Sequence, residues 1–88
     1  MKYSIYYATG AYKYLQKLQP QIARKIYLSM NNIANDNTIG KDINKLAGFE
    51  QTYRLRIGKY RVVYEKHEEI LLIRVIEIKS RGDVYKNL

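Results

Sequence analysis

The chain of 88 residues has no cysteine and only one histidine, His67. Without cysteine the protein can form no disulfide, no thiolate nucleophile and no cysteine-based metal site. His67 falls in a predicted turn flanked by glutamates and has no second ligand with which to hold a metal. We therefore expect His67 to be exposed, and we expect neither a metal nor another cofactor.

Long apolar runs are also missing, and the first residues lack the basic, apolar and cleavable sections of a secretion signal. We therefore expect a soluble, cytoplasmic protein with no membrane partner. The sequence has no glycine-rich phosphate loop and no sharp turn carrying a nucleophilic serine. It also has no pair of carboxylates at a spacing suited to acid–base catalysis. Most of the usual catalytic signatures are thus excluded.

Acidic residues are scarce: 8 Asp and Glu stand against 16 Lys and Arg, which gives a net charge of +8. The densest cluster is 54–61, which holds four cations and no anion. This balance favours an acidic partner, which could be a nucleic acid, an anionic membrane or an acidic protein. A basic surface that serves only solubility is the alternative, and charge alone does not choose among these.

The first half of the chain predicts a strand followed by two helices. Residues 2–7 are rich in aromatic and β-branched side chains, which is typical of a strand. Thr9 can cap a first helix over about 10–18, and Pro20 suits the first turn of a second helix. The second helix carries an apolar stripe at helical spacing, which we assign to the core. Its members are Ile22, Ile26, Met30 and Ile33.

The second half predicts three strands after a polar connection. The connection runs from about 35 to 50 and is held in part by Ile43 and Leu46. The strands cover about 51–57, 60–66 and 69–78, with turns at Gly58-Lys59 and His67-Glu68. The nearly unbroken apolar run 70–76 predicts a central strand covered on both faces.

This order, β-α-α-β-β-β, predicts an α+β domain with both helices on one face of a small antiparallel sheet.

Arginines recur in the first predicted hairpin in a pattern that brings them to one face. Arg54 and Arg56 alternate with Tyr53, Leu55 and Ile57, so the two sets point to opposite faces. If the hairpin pairs across Gly58-Lys59, Arg61 joins the two arginines, whereas Tyr60 and Tyr64 join the core side. Side-by-side cations repel each other, and a polyanion lying across them would reverse that cost. The alternative is a solvated face with no ligand.

Such a face suits RNA cleavage, in which a ribose 2′-hydroxyl attacks the adjacent phosphorus. Guanidinium groups stabilise the charge that develops on the phosphoryl oxygens, but they cannot act as the base because they are always protonated. Arg81 and Tyr85 in the C-terminal segment are further candidates, and guanidinium groups beside a phenol favour its phenolate form. From its position alone, Tyr85 is better explained as a packing residue.

The chain resembles the RelE/ParE superfamily of toxins from type II toxin–antitoxin systems along nearly its whole length. The most specific part of the resemblance is the stretch from Tyr53 to Tyr64, together with Arg81-Gly82-Asp83-Val84-Tyr85. The Leu46-Ala47-Gly48 step and the stretch 13–18 add to it. The resemblance implies a single RelE-like domain over residues 1–88.

The RelE branch implies a metal-independent endoribonuclease that cuts messenger RNA on the ribosome. By resemblance, Tyr85 would deprotonate the 2′-hydroxyl, Arg56 and Arg61 would stabilise the phosphorane, and Arg81 would assist the leaving group. Arg54 would bind the RNA backbone. Two more residues are carried over as RNA-binding, namely Lys59 and Lys79.

The resemblance also implies partners and leaves alternatives open. The partners would be a cognate antitoxin, the ribosome with its mRNA and 16S rRNA, and operator DNA reached only through the antitoxin complex. Many relatives carry histidine where this chain has Ser80, and some carry lysine at 54 and 56. The alternative functions are a ParE-like inhibitor of DNA gyrase and a catalytically inactive relative that binds antitoxin or DNA.

Overall fold

The computed structural model describes residues 2–81, which form two helices and five strands. In chain order these are β1 (Ser4–Tyr7), α1 (Thr9–Lys17), α2 (Pro20–Ala34), β2 (Asp42–Lys45), β3 (Thr52–Ile57), β4 (Tyr60–His67) and β5 (Leu72–Ser80). Neither helix in this part of the chain is long and apolar enough to cross a membrane.

The five strands form one sheet in the order β1-β5-β4-β3-β2. Strands β3, β4 and β5 pair antiparallel, as predicted, and β2, which was not predicted, pairs antiparallel with β3. Strand β1 pairs parallel with β5, with Ser4 opposite Leu72 and Tyr7 opposite Val75. The α+β class is confirmed, but the sheet is mixed rather than wholly antiparallel. Neighbouring parallel strands need a long crossover, and α1 and α2 form part of the connection that leads back to β5.

The core lies between the two helices and one face of the sheet. The predicted stripe of α2 is confirmed, because Ile26, Met30 and Ile33 are almost fully buried. Ile22 is partly buried at the edge of the same cluster. The sheet contributes buried side chains from one face of its strands, which are Leu55, Val62, Tyr64, Ile73, Val75 and Ile78.

Strand β5 was predicted to be covered on both faces, but the face that points away from the helices is exposed. Ile73, Val75 and Ile78 are buried, whereas Arg74 and Glu77 on the other face are exposed. The spacing of three between Val75 and Ile78 arises from a register shift in the pairing with β4 at Val63/Tyr64. The expected cover on both faces was wrong because the helices lie against one face only.

The structure also corrects two local predictions. The N-cap of α1 is Ala8 and makes no side-chain capping bond, so Thr9 is the first residue of the helix rather than its cap. The connection predicted over 35–50 contains strand β2, which pairs with β3. Its four residues offer one apolar side chain, Ile43, which packs against the core. So short and polar a strand has no alternation strong enough to be detected in the sequence.

The contrast between Met30 and Leu28 on α2 gives a test of this core. Met30 is fully buried, whereas Leu28 is 55% exposed. We expect Met30→Ala to lower the free energy of unfolding by about 2–5 kcal/mol, because it leaves a cavity. Leu28→Ala, the matched control, should change it by less than about 0.5 kcal/mol. Urea unfolding followed by circular dichroism measures both, and equal losses would contradict the assignment.

Buried tyrosines predict a loss of stability at alkaline pH. Burial raises the pKa of Tyr64 from 10.0 to about 12, with a smaller contribution from Tyr53. The folded state thus holds a proton that the unfolded chain releases near pH 10, so the stabilisation is complete below pH 10 and is lost as pH rises towards 12. Urea titrations between pH 9 and 12 should show this fall, and Tyr64→Phe should make it shallower. The exposed Tyr12→Phe control should leave it unchanged.

Candidate functional site

The face of the sheet that the helices leave uncovered carries the arginines. Leu55 is buried in the core, whereas its neighbour Arg56 is exposed and Arg54 is half-buried. On β4, Val62 is buried and Arg61 is exposed. The predicted division of side chains between two faces is therefore confirmed.

Three cations stand in register across three neighbouring strands of this free face. Arg56 of β3 is paired with Arg61 of β4, and Arg61 is paired with Lys79 of β5. Adjacent strands are roughly 4.8 Å apart, so the backbone positions of Arg56 and Lys79 lie within about 10 Å of each other. We call these three residues the cation row. It brings charges from separated parts of the sequence onto one line.

A cleft of about 180 Å³ opens beside the cation row, at the end of the β3–β4 hairpin. Gly58 adopts a positive φ of 56°, which the tight turn requires and which favours glycine. The backbone N–H of Arg81 donates a hydrogen bond to the carbonyl of Lys59 at 3.0 Å. This bond holds the residue after β5 against the turn. The cleft is lined by Arg56, Gly58, Lys59, Tyr60, Arg61, Lys79, Ser80 and Arg81.

The guanidinium groups of the cation row lack anionic partners within the described residues. Arg56 and Arg61 form no ion pair there, and Lys79 approaches Glu77 only to 3.9 Å. Asp36, by contrast, is shared by two lysines, and the hydrogen bond from Lys2 above all, then that from Lys66 and the charges of both, hold its pKa below the usual value. Like charges directly opposite each other on a sheet are unfavourable. A bound phosphate would offset that repulsion and accept bidentate hydrogen bonds.

Of the residues predicted for the site, Arg56, Lys59, Arg61, Lys79 and Arg81 line the cleft. Arg54 shares the free face but lies one row away, opposite Val63 and Asn44. Its Nε atom is buried and makes no hydrogen bond among the described residues. The seventh predicted residue, Tyr85, falls outside residues 2–81.

Two residues of the cleft were not assigned to the site from the sequence. Tyr60 was placed in the core, and it does pack there in part, but its ring also lines the cleft with the Lys59 ammonium 5.6 Å from the ring centre. Ser80 was noted only as a replacement for histidine. Both residues lie at strand ends beside the turn, and this position is the feature from which they could have been assigned to the site. Among the described residues that line the cleft there is no histidine or carboxylate, so this set is suited to binding negative charge.

His67 differs from its prediction. It is the last residue of β4 and is partly buried, and its Nε2 lies 3.1 Å from Glu65 Oε1. Arg74 Nη1 lies 3.5 Å from the same oxygen. Residues 2–81 contain no cluster of three potential metal ligands. His67 is therefore part of a small polar network at the opposite end of β4 from the cleft.

The chain matches known toxins along most of its length. A family model described as the ParE toxin of the type II toxin–antitoxin system, parDE, matches residues 5–85. A putative toxin RelE1 from Methanocaldococcus jannaschii is 32% identical over 90 residues, covering 99% of each chain.

Solved structures have the same fold. The archaeal RelE–RelB complex from Pyrococcus horikoshii aligns with a TM-score of 0.77 and 29% identity, over 93% of this chain and 98% of its counterpart. The isolated RelE toxin of E. coli aligns with a TM-score of 0.76 over 97% and 93% of the two chains. At 23% identity this last match supports the fold alone.

The family model covers most of the chain, a relative is 32% identical over nearly all of it, and the solved structures agree with the fold. The chain belongs to the ParE toxin family of type II toxin–antitoxin systems, within the RelE/ParE superfamily.

Proposed function

We propose that this toxin is a metal-independent endoribonuclease that cuts messenger RNA on the ribosome. The observation that carries the proposal is the cation row beside a cleft, with two arginines that have no anionic partner among the described residues. A scissile phosphate with its two non-bridging oxygens matches the planar fork of a guanidinium group. The ribosome would supply the mRNA as an unpaired strand, whose backbone can lie on the sheet face.

The proposed reaction is an internal transfer at phosphorus. The 2′-oxygen of the ribose forms a bond to the adjacent phosphorus as its proton leaves, and the bond from phosphorus to the 5′-oxygen breaks as that oxygen gains a proton. Arg56 and Arg61 would stabilise the additional negative charge of the phosphorane. Arg81 would assist the departing 5′-oxygen. The products are a 2′,3′-cyclic phosphate and a free 5′-hydroxyl.

The remaining cations would hold the strand on either side of the reacting phosphate. Lys59 and Lys79 line the cleft and would contact neighbouring phosphates. Arg54, half-buried one row away, would contact the backbone further along. Tyr85 would act as the base, since positive charge beside a phenol favours the phenolate and arginine itself cannot accept a proton.

We also propose that the chain is neutralised by an antitoxin. Structural relatives are toxins solved with their antitoxin, such as the RelE–RelB complexes of Methanococcus jannaschii and Pyrococcus horikoshii. An acidic or amphipathic segment that orders on binding would cover the cation row. Toxin and antitoxin would meet operator DNA as one complex. The active toxin would work in the cytoplasm, in contact with mRNA and 16S rRNA.

Inhibition of DNA gyrase is the second candidate function. The observation in its favour is the family model, whose description names the ParE toxin of parDE. Against it stands the cation row, whose two arginines have no anionic partner within residues 2–81 and which a protein that only binds gyrase does not need. A supercoiling assay separates the two functions.

Replacing the arginines of the cation row tests the nuclease. In a translation extract, the protein should cut mRNA within codons, as mapped by primer extension. We expect Arg56→Ala and Arg61→Ala each to reduce the cleavage rate by about 10²–10³-fold, because each removes a group that stabilises the transition state. Arg24→Ala, which removes an exposed arginine from α2, is the control and should cut at the normal rate.

Two results would contradict this proposal. One is intact mRNA in the extract together with plasmid DNA that gyrase no longer supercoils. The other is full cleavage by the Arg61→Ala variant, which would remove the cation row from the chemistry.

The role of Tyr85 is tested separately from binding. We expect Tyr85→Phe to slow cleavage by about 10²–10⁴-fold, because the general base is lost. Binding of an oligonucleotide made uncleavable by 2′-O-methylation should be unchanged, since the ring is kept. Weakened binding with an unaltered single-turnover rate would instead assign Tyr85 to RNA contact.

A further inference from the structure

The cation row continues onto β2, where its last position is an acid. Asp42 is paired with Arg56, so the line across the four antiparallel strands reads Asp42, Arg56, Arg61, Lys79. Residues directly opposite each other share a face. A single carboxylate therefore stands at the β2 end of a row that is otherwise positive. Along this row no phosphate would bind beyond Arg56, because Asp42 would repel it.

The carboxylate of Asp42 remains available to a ligand. Asp42 is exposed, and it forms no ion pair with Arg56 within residues 2–81. Within residues 2–81 the carboxylate accepts one side-chain hydrogen bond, which the side-chain amide of Asn44 donates to Oδ1 at 3.2 Å. Asn44 thus restrains the carboxylate and leaves Oδ2 free. An ionised carboxylate can only accept hydrogen bonds, so its ligand must be a donor.

Asp42 is directly opposite Arg56, and side chains so paired have Cβ atoms about 5 Å apart, so a nucleotide with its phosphate on Arg56 would place its base near Asp42. Unpaired bases expose hydrogen-bonding edges that proteins read directly. Aspartate characteristically accepts a hydrogen bond from the N4 amino group of cytosine. Uracil carries a carbonyl oxygen at the same position, which would face the carboxylate unfavourably. The cations of the row would therefore bind the RNA backbone, and Asp42 at its β2 end would bind a base.

We propose that Asp42 is a specificity-determining residue that accepts a hydrogen bond from a base amino group next to the bound phosphate and so favours cytosine over uracil. The proposal rests on RNA being the ligand of the cation row, as in the proposed function. It does not require Asp42 to take part in bond making or breaking. The base would be read at the edge of the sheet, with Asn44 holding the carboxylate in place.

Binding of short uncleavable RNAs provides the test. The probes are 2′-O-methyl pentanucleotides, one all uridine and five others with a single cytidine at each position, compared at one fixed low salt concentration. We expect one cytidine position to bind about tenfold more tightly than uridine, as for a base read by one side chain. Asp42→Asn should abolish the preference, because an amide offers both a donor and an acceptor. Asp42→Ala should also lose the preference, while Asp42→Glu should retain part of it.

The control is Glu69→Gln, which removes an equal charge from the exposed turn between β4 and β5. It should keep the full preference for cytidine. Cleavage sites mapped in the translation extract should shift in the same way, with the Asp42→Asn toxin losing its bias towards cytidine at one position.

The outcomes separate this inference from the nuclease itself. If the protein cuts mRNA but binds cytidine and uridine probes equally, Asp42 does not read a base and the inference fails alone. If Asp42→Asn stops cleavage at all sites and leaves probe binding unchanged, Asp42 belongs to the chemistry and the inference is again wrong. If the probes are distinguished but mRNA stays intact, the nuclease proposal fails and the reading by Asp42 stands. If no probe binds, the inference about Asp42 fails, while the nuclease proposal is still decided by mRNA cleavage in the translation extract.

Discussion

The alternation of side chains along β3, β4 and β5 is the constraint on which the molecule depends. Each strand buries one residue in the core and presents the next on the free face, so Leu55 is followed by Arg56 and Val62 is preceded by Arg61. The same backbone therefore fixes the core and the cation row together. A shift of one residue in any of these strands would bury a guanidinium group and expose an aliphatic side chain. That cost keeps the charges in register.

This arrangement explains how a repulsive row can persist in a small domain. Like charges on neighbouring strands cost free energy, but the strands that carry them bury side chains under both helices, and burial of apolar surface outweighs the repulsion of exposed charges. The repulsion remains available to be relieved by an anion. The core thus supports a face whose charges are unfavourable on their own, and a bound polyanion would convert that disadvantage into affinity.

Most of the fold could be predicted from particular residues. The stripe of α2, the proline at its first turn and the Gly58-Lys59 turn all gave correct elements, because each depends on local geometry. The predictions that were wrong concern features that depend on distant parts of the chain. Strand β2 forms because β3 offers it a partner, and its own four residues carry too little pattern. The apolar run of β5 was assigned two covered faces because hydrophobicity does not tell where the helices lie.

In the candidate site, too, some features can be predicted from the sequence and others arise only in the tertiary structure. The sequence by itself determined that one face of the sheet would be basic. It did so through the arginines, their spacing along β3 and the excess of positive charge. Only the tertiary structure decided that Arg56, Arg61 and Lys79 share one row, that a backbone hydrogen bond brings Arg81 to the turn, and that Asp42 ends the row. The physical reason is that periodicity sets the face of a side chain within its own strand. Its neighbours on that face depend on register between strands, which hydrogen bonds and core packing fix only once the whole sheet has formed.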